Sequence, residues 1–229
     1  IIFGARRSMF VGLGASTMGV IISTFIGIVS GYFGGKTDMV IQRFVDAWMC
    51  FPPIFLILTI MAVVGPGLVQ VIVVLGVLYG IARSRVVRSA VISIKENVYA
   101  EAGRAIGATS SRILMRHILP NVMAPILILF TVDMGAAIIA EATLSFLGFG
   151  IPPPTPSWGG MLSEGGRRYM LLAPWMALWP GLALAIVVYG INMLGDGLRD
   201  LLDPKLRGGL GRYEGTKKKM PKQKMKTSM

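Results

Sequence analysis

Charge is scarce in this chain, and so are the residues that do chemistry. Of 229 residues only 15% are Asp, Glu, Lys or Arg, where an ordinary soluble domain carries about 25%. There is one cysteine, Cys50, and one histidine, His117. A lone cysteine excludes a disulfide within the chain, and the Cys/His spacing of a metal site is absent. An intramembrane protease or similar enzyme is excluded too, because it needs a nucleophile and base clustered within its apolar segments. A phosphate-binding loop is also missing. GYFGGKT at 31–37 ends like one, but Gly31 and Gly35 enclose three residues where G-x-x-x-x-G-K-[ST] needs four. These glycines read instead as the end of a helix and the start of a loop.

What fills the chain is apolar. Hydrophobic residues make up 54%, with a mean hydropathy of +0.67. Ser8–Gly35, Ala47–Ala82 and Met170–Gly195 contain no charged residue, and Ile118–Phe149 is interrupted only by Asp133 and Glu141. Runs of roughly 18 or more such residues span membranes as helices. Gly65-Pro66-Gly67 splits the second run into two. The reading is an all-α polytopic membrane protein with five spans, at about 10–31, 48–64, 68–88, 120–148 and 172–195.

The net charge of +12 belongs to topology rather than to nucleic acid. Of the 23 Lys and Arg, 19 fall in segments 32–47, 83–119 and the tail from Arg199, and four in the alternating segments. Cytoplasmic loops collect basic residues, which places those three segments and the C-terminus inside. Five spans then put residue 1 outside, so a further spanning helix is expected upstream. Trp48 falls at the inner interface and Trp158, Trp175 and Trp179 near the outer one, as in an aromatic belt. The Lys-rich stretch 209–229 reads as a basic, disordered tail near anionic headgroups.

The most informative connection is KENVYAEAGRAIGATSSRILMRHILP, residues 95–120. Tyr99–Arg104 forms helix readily, Gly107 ends it, and Ala108–Ser111 caps a second helix, Arg112–His117. Pro120 then opens the next span, where its missing N–H is tolerated. This helix–bend–helix is either a docking knob, with small residues for close approach and Arg104, Arg112 and Arg116 around it, or an amphipathic hairpin on the headgroups.

Glu101-Ala102-Gly103, Gly107 and Leu119-Pro120 match the spacing of the EAA loop of ABC transporter permeases, roughly EAA-x3-G-x9-I-x-LP. Gly103 stands for the second alanine and His117 for the isoleucine. FPPIFLIL (51–58), IIAEATLSFLGFG (138–150), PPTPSWG (153–159), APW (173–175) and LGDGLRDLLDPKLR (194–207) follow in order. Over about residues 4–208 the chain resembles binding-protein-dependent importer permeases, and more narrowly the second, C-type permease of the dipeptide/oligopeptide/nickel subfamily. The resemblance implies a type I ABC importer permease fold with six spans in the full subunit, in a prokaryotic plasma membrane. It implies pairing with a homologous second permease and an external solute-binding protein that delivers a peptide-like substrate. Two ATPase subunits would bind the ATP and magnesium, and would receive a coupling loop at 95–119. Glu101, Ala102, Gly103, Arg104, Gly107, His117, Leu119 and Pro120 carry the match to that loop.

Two carboxylates lie within the membrane run. Counted from Pro120 at about 1.5 Å per residue, Asp133 lies roughly 20 Å in and Glu141 roughly 31 Å in. Asp133 is read as facing the pathway or a partner helix, positioned to meet a peptide ammonium or a cationic metal complex. Glu141 is read as an acid at the outer interface, within reach of water. Asn192 completes the pathway candidates, with packing and capping as its plainer role. A rival reading makes Asp133 and Glu141 the proton carriers of a secondary transporter, which should then show paired inward-facing carboxylates or an inverted repeat. The external loop 149–171 is stiffened by prolines; Pro153, Pro154, Trp158, Arg167 and Arg168 are the candidates for contact with the binding protein.

Overall fold

The computed structural model describes residues 1–96, 107–166, 169 and 171–202, and among them every regular element is helical. In chain order these are α1 (Ile2–Phe33), α2 (Gly35–Met49), α3 (Pro53–Val64), α4 (Leu68–Lys95), α5 (Ser110–Phe146), the short α6 (Trp158–Met161) with a π-turn after it (Leu162–Gly166), and α7 (Trp175–Leu202). The helices α1, α4, α5 and α7 are each long and apolar enough to cross a membrane.

One face of α1 explains the arrangement. Its buried positions include Gly4, Ser8, Gly12, Ser16, Gly19, Ser23, Gly27 and Ser30, a small residue at nearly every turn. In an apolar solvent helices gain from packing rather than from the hydrophobic effect, and small residues let backbones approach closely. The hydroxyls cost little, because each has a partner: Ser16 Oγ bonds back to the Gly12 carbonyl at 2.7 Å and Ser23 Oγ to the Val20 carbonyl at 3.1 Å, while Ser8 and Ser30 bond to neighbouring helices. Opposite them, α4 contributes glycines of its own. A Cβ on Gly80 would sit 2.6 Å from Ile22 Cβ, and one on Gly27 would sit 2.6 Å from Val87 Cβ. Met18 meets Gly76 and Gly31 meets Val91 in the same way, so the register advances together along both helices. The two helices are therefore parallel.

Parallel neighbours decide the status of the chain between them. Residues 48–64 do not form one continuous span. The helix breaks between Met49 and Pro53, and α2 and α3 meet at 85°. The cause is Pro52-Pro53: neither has an N–H, Pro52 is held at ψ 129°, and a proline disfavours helix in the residue before it. The 12 residues of α3 reach only about 18 Å, short of a bilayer core of about 30 Å. Because α4 runs the same way as α1, residues 34–67 must carry the chain back across, and α2 and α3 do it as one broken span. The inner face of α3, Ile57 and Met61, is buried with Val71, Val74 and Leu75 of α4.

Helix α5 returns antiparallel to both, with Gly12 against Ile138 near one end and Val87 clustered with Ile118 and Val122 near the other. Helix α7 crosses α5 where Asn192 meets Gly135 and Gly195 meets Thr131. Elsewhere α7 presents apolar side chains outward, among them Trp175, Trp179, Leu182, Ile186 and Tyr189. Replacing Gly80 by valine should lower the melting temperature of the purified subunit, since overpacking of this kind costs about 1–3 kcal/mol. Gly190→Ala, at a position with nothing within 4 Å, should leave it unchanged; thermal unfolding in detergent measures both.

Candidate functional site

At the end where α1 and α4 finish, polar groups strap three helices together. Arg88 Nε donates to Asp38 Oδ1 at 2.6 Å, and Ser30 Oγ also donates to that oxygen. Gln42 Nε2 donates to Ser30 Oγ at 3.0 Å, and Arg85 pairs with Asp46. Lys95 Nζ donates to the Tyr32 carbonyl at 2.6 Å, satisfying one of the acceptors that a helix leaves open at its C-terminus. Gly34 and Gly35, at φ 64° and 55°, supply the left-handed backbone that turns α1 into α2. That is the role of GYFGG: a helix-to-helix turn held beneath a salt bridge.

The predicted docking loop leaves α4 after Lys95 and returns at Gly107. Glu101, Ala102, Gly103 and Arg104 lie outside the described residues. Gly107 has φ 79°, so it makes the bend expected of it, and Thr109 stands at the N-cap in extended conformation. The segment 112–117 is not a separate helix. It runs without a break into the membrane span, through a π-turn at Leu114–Ile118 in which the Leu119 amide donates to the Leu114 carbonyl. The wider turn comes just before Pro120, which cannot donate, and lets the helix continue through it. Asn121 Nδ2 covers the His117 carbonyl at 2.6 Å. Ile113, Ile118 and Val122 are buried against Tyr32, Val87 and Val91. The loop's return arm is thus fastened to α1 and α4 by an apolar cluster.

Asp133 and Glu141 enter separate networks. Asp133 is fully buried and its Oδ1 accepts from Arg83 Nε at 2.8 Å, while Oδ2 has no partner among the described residues. Sequence reading missed Arg83, counting it only as the first cation of a basic segment. The signal was a charge lying about three turns inside a helix that Lys95 terminates. Glu141 corrects its expectation outright: it is buried, not exposed at an interface. Its Oε2 accepts from Ser8 Oγ at 2.9 Å and its Oε1 from Ser145 Oγ at 2.7 Å. Ser145 Oγ in turn accepts from the Ile151 amide at 3.2 Å. Depth along a helix says nothing about which face a side chain takes, and α1 with the loop after α5 covers Glu141. Asn192 is exposed, beside Gly135.

The same network folds the connection after α5. Ser157 caps α6, accepting from the Gly160 amide at 3.1 Å, and Gly159 lies so close to Ala142 that a Cβ would meet its carbonyl oxygen at 2.3 Å. Trp158 is 1% exposed and donates from Nε1 to the Ile1 carbonyl. It is therefore an internal wedge between the connection and α1, not an interfacial anchor or a contact for an external partner. Pro153 and Pro154 are exposed and line a cavity of about 640 Å³ with Trp175 and Trp179. Arg167 and Arg168 lie outside the described residues.

Residues 23–208 match the family described as binding-protein-dependent transport system inner membrane component. The chain is 43% identical over 207 residues to the dipeptide transport system permease protein DppC of Alkalihalophilus pseudofirmus, covering 90% of this chain and 68% of that protein. It is 42% identical over 208 residues to the glutathione transport system permease protein GsiD of Escherichia coli, covering 91% and 68%. Its fold is similar to the MetNI methionine ABC transporter in an inward-facing conformation, with TM-score 0.70 and 20% identity over 88% of this chain and 95% of that one.

Glu141→Ala should remove on the order of 2–3 kcal/mol, the worth of hydrogen bonds to a charged group, and should free residues 149–161 from α1. Limited proteolysis in that segment should accelerate, whereas Glu141→Gln, which keeps one carbonyl acceptor, should have a smaller effect.

Proposed function

Since the chain belongs to the family of binding-protein-dependent transport system inner membrane components, we propose that it forms one half of the translocation pathway of an ATP-driven importer of small peptides. It is a multi-pass inner-membrane transport subunit. A homologous second permease would supply the other half, with the outward apolar face of α7 as a surface for it or for lipid. Two ATPase subunits would bind ATP and magnesium at the basic end, which faces the cytoplasm together with the C-terminus. An external solute-binding protein would deliver cargo at the opposite end, over the proline-lined cavity. Peptide cargo is supported by relatives named for dipeptide and glutathione transport.

The observation that carries the coupling role is the continuity of the return arm with α5. A push on residues 110–113 is a push on a membrane span, because the helix runs from Ser110 to Phe146 without a break, and the apolar cluster passes it to α1 and α4. Rigid-body motion of this kind converts closure of an ATPase dimer into re-angling of helices. The proton-carrier reading loses its basis, because Asp133 and Glu141 lie in separate networks with different partners.

Gly107 tests the coupling directly. A valine at φ 79° is strained by about 1–3 kcal/mol, which would displace the bend without touching a span. Gly107→Val should insert into the membrane normally but lose co-purification of the ATPase subunits and peptide uptake; unchanged uptake would refute the coupling role.

A further inference from the structure

The ion pair inside the membrane is only half made. Arg83 and Asp133 could form the two parallel bonds that a guanidinium and a carboxylate favour, yet only Nε to Oδ1 is present and Oδ2 is buried without a partner. The Arg83 side chain is 37% exposed and Asp133 is 0% exposed. The acid is sealed within the helices while the edge carrying Nη1 and Nη2 is left to the surroundings. Arg83 stands five residues before Arg88 of the α4–α2 salt bridge, about 8 Å deeper along the helix. A cation at that depth facing lipid is costly, by about 2.5–3.5 kcal/mol at a helix centre. A cation tethered by a buried acid and open on its other edge suits a water-filled path.

We propose that Arg83 is a cargo-binding residue of the pathway, holding the C-terminal carboxylate of a peptide in transit through its Nη groups while Asp133 fixes the guanidinium through Nε. The inference deepens the importer reading and rests on it. It also reverses the polarity first expected of Asp133. That acid does not meet the peptide's ammonium, because its oxygens are buried and one is committed to Arg83. The acid is a positioning residue and the arginine makes the contact. Planar, two-pronged recognition favours arginine over lysine at such a point, since an ammonium is a point charge.

The test uses the complete importer in proteoliposomes, with binding protein, both permeases and the ATPases, and radiolabelled dialanine as cargo. Four versions are compared: wild type, Asp133→Asn, Arg83→Gln, and Arg83→Gln with Asp133→Asn. The double variant leaves no unpaired buried charge, so it separates cargo binding from charge balance. Uptake by the double variant should be at least tenfold below wild type, while complex assembly and ATP hydrolysis stimulated by the binding protein stay at the wild-type level. Asp133→Asn, which keeps the cation, should retain more uptake than the double variant. Uptake restored in the double variant would make Arg83 merely the counter-charge of Asp133 and overturn the proposal. Failure of the double variant to assemble would make the pair a structural tie between α4 and α5, and overturns it equally. A wild-type complex that assembles and hydrolyses ATP but imports no dialanine would instead refute the peptide-importer reading itself.

Discussion

The close approach of α1 and α4 is the constraint on which the rest of this structure depends. Two helices that meet through glycine and serine have no room for relative movement, because side-chain atoms of one touch the backbone of the other. Close contact over many turns replaces the hydrophobic drive that a soluble protein would use. It also sets the topology. Parallel neighbours require a crossing between them, and the only chain available is α2 and α3, broken at Pro52-Pro53. A pair of helices so short and sharply bent is stable as a crossing because α4 offers each a separate attachment: salt bridges to α2 and an apolar face to α3.

From that seam the two ends acquire different characters. At the basic end, Arg88 with Asp38 and Lys95 with the Tyr32 carbonyl close the helix termini, and the cluster around Ile113 and Ile118 adds the first turns of α5. At the opposite end, Glu141 gathers hydroxyls from α1 and α5, and the Ser145 hydroxyl in turn accepts from the Ile151 amide of the following loop. This network joins three segments and makes the loop after α5 part of the core. The Arg83–Asp133 pair lies between these ends, where one side of the helix group is not covered by this chain.

Much of this was legible in residues. Charge-free runs locate α1, α4, α5 and α7, and Gly65-Pro66-Gly67 marks the junction before α4. The bend at Gly107 and the turn at GYFGG were both readable, since glycine is the residue that tolerates positive φ. What escaped depends on contacts between residues far apart in the chain. Asp133 was singled out, but its partner lies 50 residues upstream, and no periodicity in either helix points from one to the other. Glu141 and Trp158 lie at the end away from the basic cluster but are buried rather than exposed at an interface, because counting residues measures depth and not facing. The break at Pro52 was readable and was overlooked in favour of the apolar run. So was the small-residue stripe in α1, whose spacing of three to four residues is visible in the sequence.

The central claim is that the return arm of the docking loop and the α1–α4 seam move as one body. Spin labels at Ser111 and Phe33, in a complex with Cys50 replaced by serine, measure this by double electron–electron resonance. The account predicts an unchanged Ser111–Phe33 distance between the nucleotide-free and ATP-trapped complexes, while the distance from Ser111 to a label on the partner permease's docking loop changes. A shift of Ser111 relative to Phe33 upon trapping ATP would show that the arm hinges independently of the spans, and would contradict the account.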